Sequence, residues 1–135
     1  MQPAVDIIRR VNSNDAKFLY CSLHNFYFDD DARAMLRECA DVLAHGRVGD
    51  TFNHKASSGL RCIPDPLGAN ARVHRRLNIG HGEAPSEDFF ATLVEIGFDD
   101  VMRACVFAWE EKADESGRLM RTEMQRDGDK YWSAK

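Results

Sequence analysis

The sequence lacks several features that mark whole classes of protein. It has no apolar run near the ~20 residues of a membrane-spanning helix. Its first residues, MQPAVDIIRR, carry charges where a signal peptide would be apolar. Positive charge is not in excess either, because 18 Lys and Arg against 22 Asp and Glu give a net charge of −4. We therefore expect a cytoplasmic protein that binds neither a membrane nor, through phosphate contacts, a nucleic acid.

Cysteine is present, but its spacing indicates no cysteine chemistry. The four cysteines are Cys21, Cys39, Cys62 and Cys105. No two of them form a CxxC pair, and most of the four lie in or beside apolar runs. Buried, reduced thiols are therefore expected, rather than a zinc site or disulfides. Hydrophobic residues make up 44% of the 135 residues and charged residues 30%, which is typical of one globular domain.

Helical and strand patterns alternate along the chain. Helices are predicted at 4–11, from the capping carboxylates at 29–31 to about 43, at 88–96 and at 110–126; strands are predicted at 16–23, 45–51 and 100–109. This alternation predicts right-handed βαβ units and a parallel sheet. The segment 52–85 is longer than an ordinary connection and is interpreted as functional or disordered, and the tail from about 127 is expected to fray.

Four segments carry a resemblance to a known family. They are DTFNHKASSGLR at 50–61, FLYCSLHNF at 18–26, ARVHRRLNIGHGE at 71–83 and FFATLVEIGFDDVMRACVFAWEEKADES at 89–116. Together they resemble the sugar-phosphate isomerase/epimerase proteins of inositol catabolism, in the xylose-isomerase-like, endonuclease-IV-like superfamily. The resemblance implies an α/β fold in which residues 1–135 form the C-terminal half of a (β/α)8 TIM barrel, with its last three strand–helix units. Three parallel strands alone would make a poor closed core, which agrees with a missing part.

The resemblance also implies a site at the carboxyl ends of the strands. There a divalent metal (Mn, Co, Mg or Zn) would polarise a sugar or inositol derivative while carboxylates move protons. Carried over to this chain, the catalytic candidates are Glu110 and Asp50, and the metal candidates are His24 and Glu110. Each has a plainer alternative: Asp50 caps a loop, Glu110 favours the start of a helix, and His24 is hydrogen-bonded at the rim.

Arg47 departs from the family pattern. The family has a ligand histidine three residues before an aspartate, whereas this chain has Arg47 before Asp50. Arginine has only donors and stays protonated, so Arg47 cannot coordinate a cation. His45 lies on the same pleat face but two residues deeper, ~6.6 Å along a strand. We therefore expect no tight metal in this chain alone, and Arg47 becomes a candidate for substrate contact.

The long segment supplies the other candidates for substrate contact, which are His54, Lys55 and Arg61. Cations over a barrel mouth suit an anionic or polyhydroxyl substrate. The alternative is a charged surface loop.

Three functions follow from these observations. The leading hypothesis is an isomerase or epimerase that acts on a sugar, a keto-inositol derivative or their phosphates. The second is a catalytically inactive barrel fragment that self-associates or binds a complementary barrel half. The third, cleavage of abasic DNA, is disfavoured by the acidic charge.

Overall fold

The structure is a computed structural model that describes residues 2–27, 31–51, 62–64, 72–74, 77–104 and 112–133. In chain order its elements are α1 (Gln2–Val11), β1 (Phe18–Cys21), α2 (Ser22–Tyr27), α3 (Ala32–Cys39), β2 (Leu43–Val48), β3 (Cys62–Pro64), β4 (Arg72–His74), α4 (Ser86–Glu95), β5 (Val101–Ala104) and α5 (Ala113–Trp132). Among these described parts of the chain, no helix is long and apolar enough to cross a membrane.

Three of the strands form one parallel sheet. β2 lies in the centre, paired in parallel with β1 on one side and with β5 on the other. The predicted parallel sheet is therefore confirmed. Because the strands run in the same direction, their carboxyl ends meet at one margin of the sheet, here called the carboxyl edge.

One face of the sheet is covered by helices and carries the core. Tyr20 of β1 and Val48 of β2 are 0% and 1% exposed, and Met102 of β5 packs against the same cluster. The ring of Tyr20 stacks on Phe89 of α4 with ring centroids 5.8 Å apart. Burying side chains of this size contributes about 1.5–3 kcal/mol each, so this face provides most of the stability.

The opposite face of the sheet is more accessible. Successive strand residues point to opposite faces, so the neighbours of the core residues lie here. Leu19 and Val101 are 45% and 59% exposed, which is unusual for large apolar strand residues. We call this surface the open face, and its residues are Leu19, Cys21, His45, Arg47, Val101 and Arg103.

Ion pairs join successive helices of the covering layer. Arg9 of α1 contacts Glu38 at 2.9 Å and Asp41 at 2.8 Å, and its guanidinium lowers the pKa of the Asp41 carboxyl. Further pairs are Arg33 with Asp88, Arg37 with Glu95, and Lys130 with Glu87. Exposed pairs of this kind contribute only about 0–1 kcal/mol each. Their main effect is to fix which helices are neighbours.

The end of α3 differs from the sequence prediction. Asp31 caps α3 as expected, accepting from the backbone N–H groups of Arg33 and Ala34. The helix nevertheless ends at Cys39 rather than at 43, because the chain turns there and the N–H of Val42 donates to the Cys39 carbonyl. Residues 43 and 44 therefore start β2 early.

The last helix extends further than predicted. α5 continues to Trp132, so residues 127–132 are helical where a frayed tail was predicted. Tyr131 and Trp132 both lie against Phe90, with ring centroids 6.3 Å away in each case. This apolar contact explains why the helix does not stop at Gly128.

The segment 52–85 has regular structure in its described parts. β3 and β4 pair as an antiparallel ladder, and an isolated bridge joins Asp50 to Leu77. The sequence predicted none of this pairing. The two described cysteines of the core, Cys21 and Cys39, are buried thiols, as predicted, and burial raises the pKa of the Cys39 thiol to about 11.

Candidate functional site

The carboxyl edge brings together the residues that follow the first two sheet strands. The chain passes from β1 directly into α2, and from β2 into Gly49, Asp50 and Thr51. The two connections are tied together by the Ser22 hydroxyl, which donates to the Gly49 carbonyl at 3.2 Å and accepts from the Gly49 N–H at 3.3 Å. A cavity of about 20 Å³, lined in part by Ser22, Gly49 and Pro85, lies beside them. It has room for roughly one water molecule.

Asp50 organises the loop at this edge. Its residue is 3% exposed, and its carboxylate accepts four backbone N–H bonds. One oxygen accepts from Thr51 and Ala84, both at 2.8 Å, and the other accepts from Gly80 at 3.0 Å and Gly82 at 2.9 Å. A carboxylate has about four lone-pair positions, so these bonds use its accepting capacity. The geometry favours the loop-capping alternative for Asp50, and its acid/base role stays a prediction.

Gly82 is required by this arrangement. A Cβ atom at Gly82 would overlap the Asp50 carboxylate and would lie 2.5 Å from the Thr51 carbonyl oxygen. Any other residue would push the turn away from the strand end. The Gly80-His81-Gly82 run thus allows the backbone to approach Asp50 closely.

Two arginines lie side by side on the open face near the carboxyl edge. Arg47 of β2 is in register with Arg103 of β5, and on its other side with Cys21 of β1. Val48, Met102 and Ala104 belong to the helix-covered side, so Arg47 and Arg103 point to the open face. Arg103 was missed from the sequence. Its signal was an arginine at an alternate position in an otherwise apolar strand.

His24 lies in α2 rather than at the end of a strand. It is partly buried, two residues into the helix that follows β1. Its neighbour Asn25 is fixed by a bond from Nδ2 to the Cys21 carbonyl at 2.9 Å. His24 thus lies three residues beyond the end of β1, on a helix rather than at a strand end. The other candidates, His54, Lys55, Arg61 and Glu110, fall outside the described residues.

A buried polar group lies beneath the first turns of α5. Asn78 and Ser116 are 2% and 0% exposed, and the Ser116 hydroxyl donates to the Asn78 side-chain oxygen at 2.7 Å. The N–H of Ile79 lies 3.2 Å from the sulfur of Met120. These contacts hold the Leu77–Gly80 stretch against α5, and they position the turn that wraps the Asp50 carboxylate.

The described residues do not fit a divalent metal centre by themselves. Within the described ranges, no three His, Cys, Asp or Glu side chains lie close enough to hold an ion. Arg47 carries only donors and cannot coordinate a cation, and the oxygens of Asp50 accept bonds from backbone N–H groups. A metal in this chain would thus depend on residues outside those ranges.

Solved structures show the same fold. The zinc-bound IolI protein matches with a TM-score of 0.70 at 18% identity, over 97% of this chain and 44% of that protein. A xylose isomerase domain protein from Planctomyces limnophilus matches with a TM-score of 0.73 at 13% identity, over 98% of this chain and 44% of that protein. The chain thus spans less than half the length of these neighbours. No curated protein sequence matches it significantly.

The family follows from the sequence. The family model for the xylose isomerase-like TIM barrel matches residues 1–123 of the 135. Both the expected resemblance and the partial barrel with parallel strands are therefore confirmed. This chain belongs to the xylose isomerase-like TIM barrel family.

Proposed function

We propose that this chain supplies part of the substrate site of an isomerase or epimerase acting on a sugar, a keto-inositol derivative or their phosphates. The observation that carries the proposal is the carboxyl edge. There, three parallel strands end at one margin beside an anchored turn, and barrels of this architecture build their sites at that margin. Family membership supports the reaction class.

The proposed roles follow the chemistry of each side chain. Glu110 transfers the proton, since isomerases of this kind need a carboxylate near the reacting carbon. Arg47, Lys55, Arg61 and His54 bind substrate oxygens as donors. Asp50 acts mainly by holding the 80–84 turn, through which it shapes the rim of the site.

A metal would serve this reaction as a Lewis acid on a carbonyl or hydroxyl oxygen. The IolI structure contains zinc, which supports metal use among relatives. In this chain the remaining candidate ligands are His24 and Glu110. Together they are fewer than the three protein ligands typical of catalytic zinc.

A second candidate function is supported by the open face. Leu19 and Val101 expose large apolar side chains on the open face. In a complete TIM barrel, that face of the sheet lies inside the barrel. We propose, as the alternative, a catalytically inactive barrel portion that associates with complementary strand–helix units. Arg47 in place of a ligand histidine favours this alternative.

The two functions are separated by one exchange experiment. The chain is mixed with the preceding strand–helix units of a full-length relative, and candidate sugars are incubated with the mixture in D2O. Proton NMR then follows the loss of the exchanging C–H signal. A catalytic Glu110 predicts that Glu110→Gln slows exchange by about 10²–10⁴-fold, whereas Glu115→Gln, on the exposed surface of α5, leaves it unchanged.

Two results would count against catalysis by this site. Exchange that is equally fast in Glu110→Gln would contradict the proposed role of that carboxylate. A stable complex with no exchange of any candidate sugar would favour the inactive, partner-binding alternative.

A further inference from the structure

A groove lies between α4, the start of β5 and the last turns of α5. Two of its lining residues, Asp99 and Asp100, come directly before β5, so the groove is at the amino end of that strand. It is therefore separate from the carboxyl edge. Its volume is about 220 Å³, and an apolar cavity of about 150 Å³ is enough to bind benzene. The groove thus has room for one aromatic ring with a short chain.

The inner surface of the groove is built from aromatic rings and thioethers. Phe90 and Phe98 are 1% and 8% exposed, and the ring of Trp132 lies edge-on to Phe90 with the ring centroids 6.3 Å apart. Met102 and Met124 complete this surface, and their flexible side chains adapt to the shape of an aromatic group. A lining of this kind is typical of sites that bind an apolar or aromatic part of a ligand.

The mouth of the groove is acidic. Asp99 and Asp100 are exposed, and none of the described residues that line the groove is basic. Asp100 accepts from the N–H of Val101 at 2.7 Å, whereas Asp99 forms no ion pair with any residue that the structure describes. A cation in the groove would meet two carboxylates and several aromatic rings, and both kinds of group attract positive charge. The same groups would repel an anion.

Gly128 leaves space at the groove. It lies inside the helix α5, where glycine is less favourable than alanine. A Cβ atom at this position would meet nothing within 4 Å, so close packing of the helix does not require a glycine. A larger side chain would instead occupy part of the groove, because residue 128 lines it. The glycine therefore agrees with a groove that receives a ligand.

We infer that this groove binds a small organic cation, namely an amine with one aromatic ring and a protonated amino group. The ring packs against Phe90, Phe98 and Trp132, and the ammonium group lies at the mouth beside Asp99 and Asp100. The inference goes beyond the proposed isomerase function and does not rest on it, because the groove and the carboxyl edge are at opposite ends of the strands.

The test is an NMR titration of the isotope-labelled 135-residue chain at low ionic strength. The probe is the 2-phenylethylammonium ion, and the neutral 2-phenylethanol and the anionic phenylacetate are its matched comparisons. The ammonium ion should shift the assigned indole N–H signal of Trp132 in a saturable manner. The alcohol should bind at least about fivefold more weakly, because it lacks the charge that the carboxylates and rings attract. Phenylacetate should not bind.

Two variants with matched controls locate the binding. Gly128→Leu fills the groove and should weaken binding of the ammonium ion at least about tenfold, because the ring loses its apolar contacts. Gly117→Leu, at a glycine of the same helix that does not line the groove, should bind within about twofold of the parent. Asp99→Asn should weaken binding of the ammonium ion about two- to fivefold and leave binding of the alcohol unchanged. Asp114→Asn, exposed at the start of α5, should change neither.

Each outcome decides for or against the amine site. Tighter binding of the ammonium ion than of the alcohol, lost in Gly128→Leu, supports it. The absence of a saturable shift with the ammonium ion would overturn it, and so would equal affinity for the ammonium ion and the alcohol. Unchanged affinity in a Gly128→Leu variant that is folded by circular dichroism would also overturn it. If that variant does not fold, Asp99→Asn decides, and an affinity equal to that of the parent would contradict the inference.

Discussion

Single residues at the carboxyl edge have roles that depend on their hydrogen bonds rather than on their type. The sequence predicted that Arg47 and Asp50 lie near the end of one strand, and the structure places Arg47 in β2 and Asp50 two residues beyond it. That Asp50 would accept four backbone N–H bonds could not be read, because three of them come from residues 30 or more positions away. That Arg103 would lie beside Arg47 could not be predicted either, because it depends on the register of β2 and β5.

The first prediction concerns Asp50. Asp50→Asn places an amide N–H₂ group where a carboxylate oxygen accepted two backbone N–H bonds. Those two N–H groups then face another donor and lose their acceptor. We expect the free energy of unfolding to fall by about 2–4 kcal/mol, measured by urea unfolding. Asp15→Asn, in an exposed turn, is the control and should change stability by less than about 0.5 kcal/mol. A loss in Asp50→Asn as small as that of the control would contradict the anchoring role.

The second prediction concerns Asp127 and pH. Burial raises the pKa of its carboxyl, against a smaller lowering by Arg126, and the residue is 7% exposed. Between the unfolded and folded pKa values the native state binds more protons than the unfolded state. Stability due to this group is therefore greatest below the unfolded pKa and declines as pH rises through the folded pKa.

Asp127→Asn should accordingly stabilise the protein at neutral pH, and the gain should shrink as the pH falls toward the unfolded pKa. Urea unfolding midpoints across acid and neutral pH measure this difference. Asp129→Asn, exposed on the same helix, should show no such pH-dependent gain. A gain that is equal at all pH values would mean that ionisation is not its cause.

At the scale of elements, long periodic segments were predicted well and short ones were not. α1 was anticipated from apolar periodicity and α4 from residues that mark helix ends, and Gly97, at φ +72°, follows the end of α4. The strands β3 and β4 have three residues each, too few for alternation to be recognised. α2 follows β1 with no turn residue between them, so its sequence read as more strand.

The third prediction compares two glycines in different elements. Gly82→Ala places a Cβ atom against the Asp50 carboxylate and the Thr51 carbonyl, and it should lower the free energy of unfolding by about 1–3 kcal/mol. Gly117→Ala, inside α5 with nothing within 4 Å of the new atom, should raise it by about 0.5–1 kcal/mol. Thermal or urea unfolding of both variants checks the contrast. Equal effects would mean that the turn does not approach Asp50 closely.

At the scale of the whole molecule, the sheet is asymmetric. Helices cover one face, while the open face exposes Leu19 and Val101. The alternating patterns predicted the parallel sheet, whose three strands are too few for a closed core, and the resemblance to the family implied the partial barrel. The sequence could not predict what covers the open face, because hydrophobic alternation indicates that a sheet face is buried but not what it packs against.

We propose that the open face is an interior barrel surface that requires a cover, either a second copy or complementary strand–helix units. Light scattering of the purified chain, coupled to size exclusion over a range of concentrations, measures whether the chain covers this face by self-association. We expect a mass above the 15.3 kDa of one chain that rises with concentration. Leu19→Asp should return the mass toward one chain, and Thr122→Asp, on the exposed side of α5, should not. A mass of 15.3 kDa at every concentration, with cooperative unfolding, would show that the open face needs no cover.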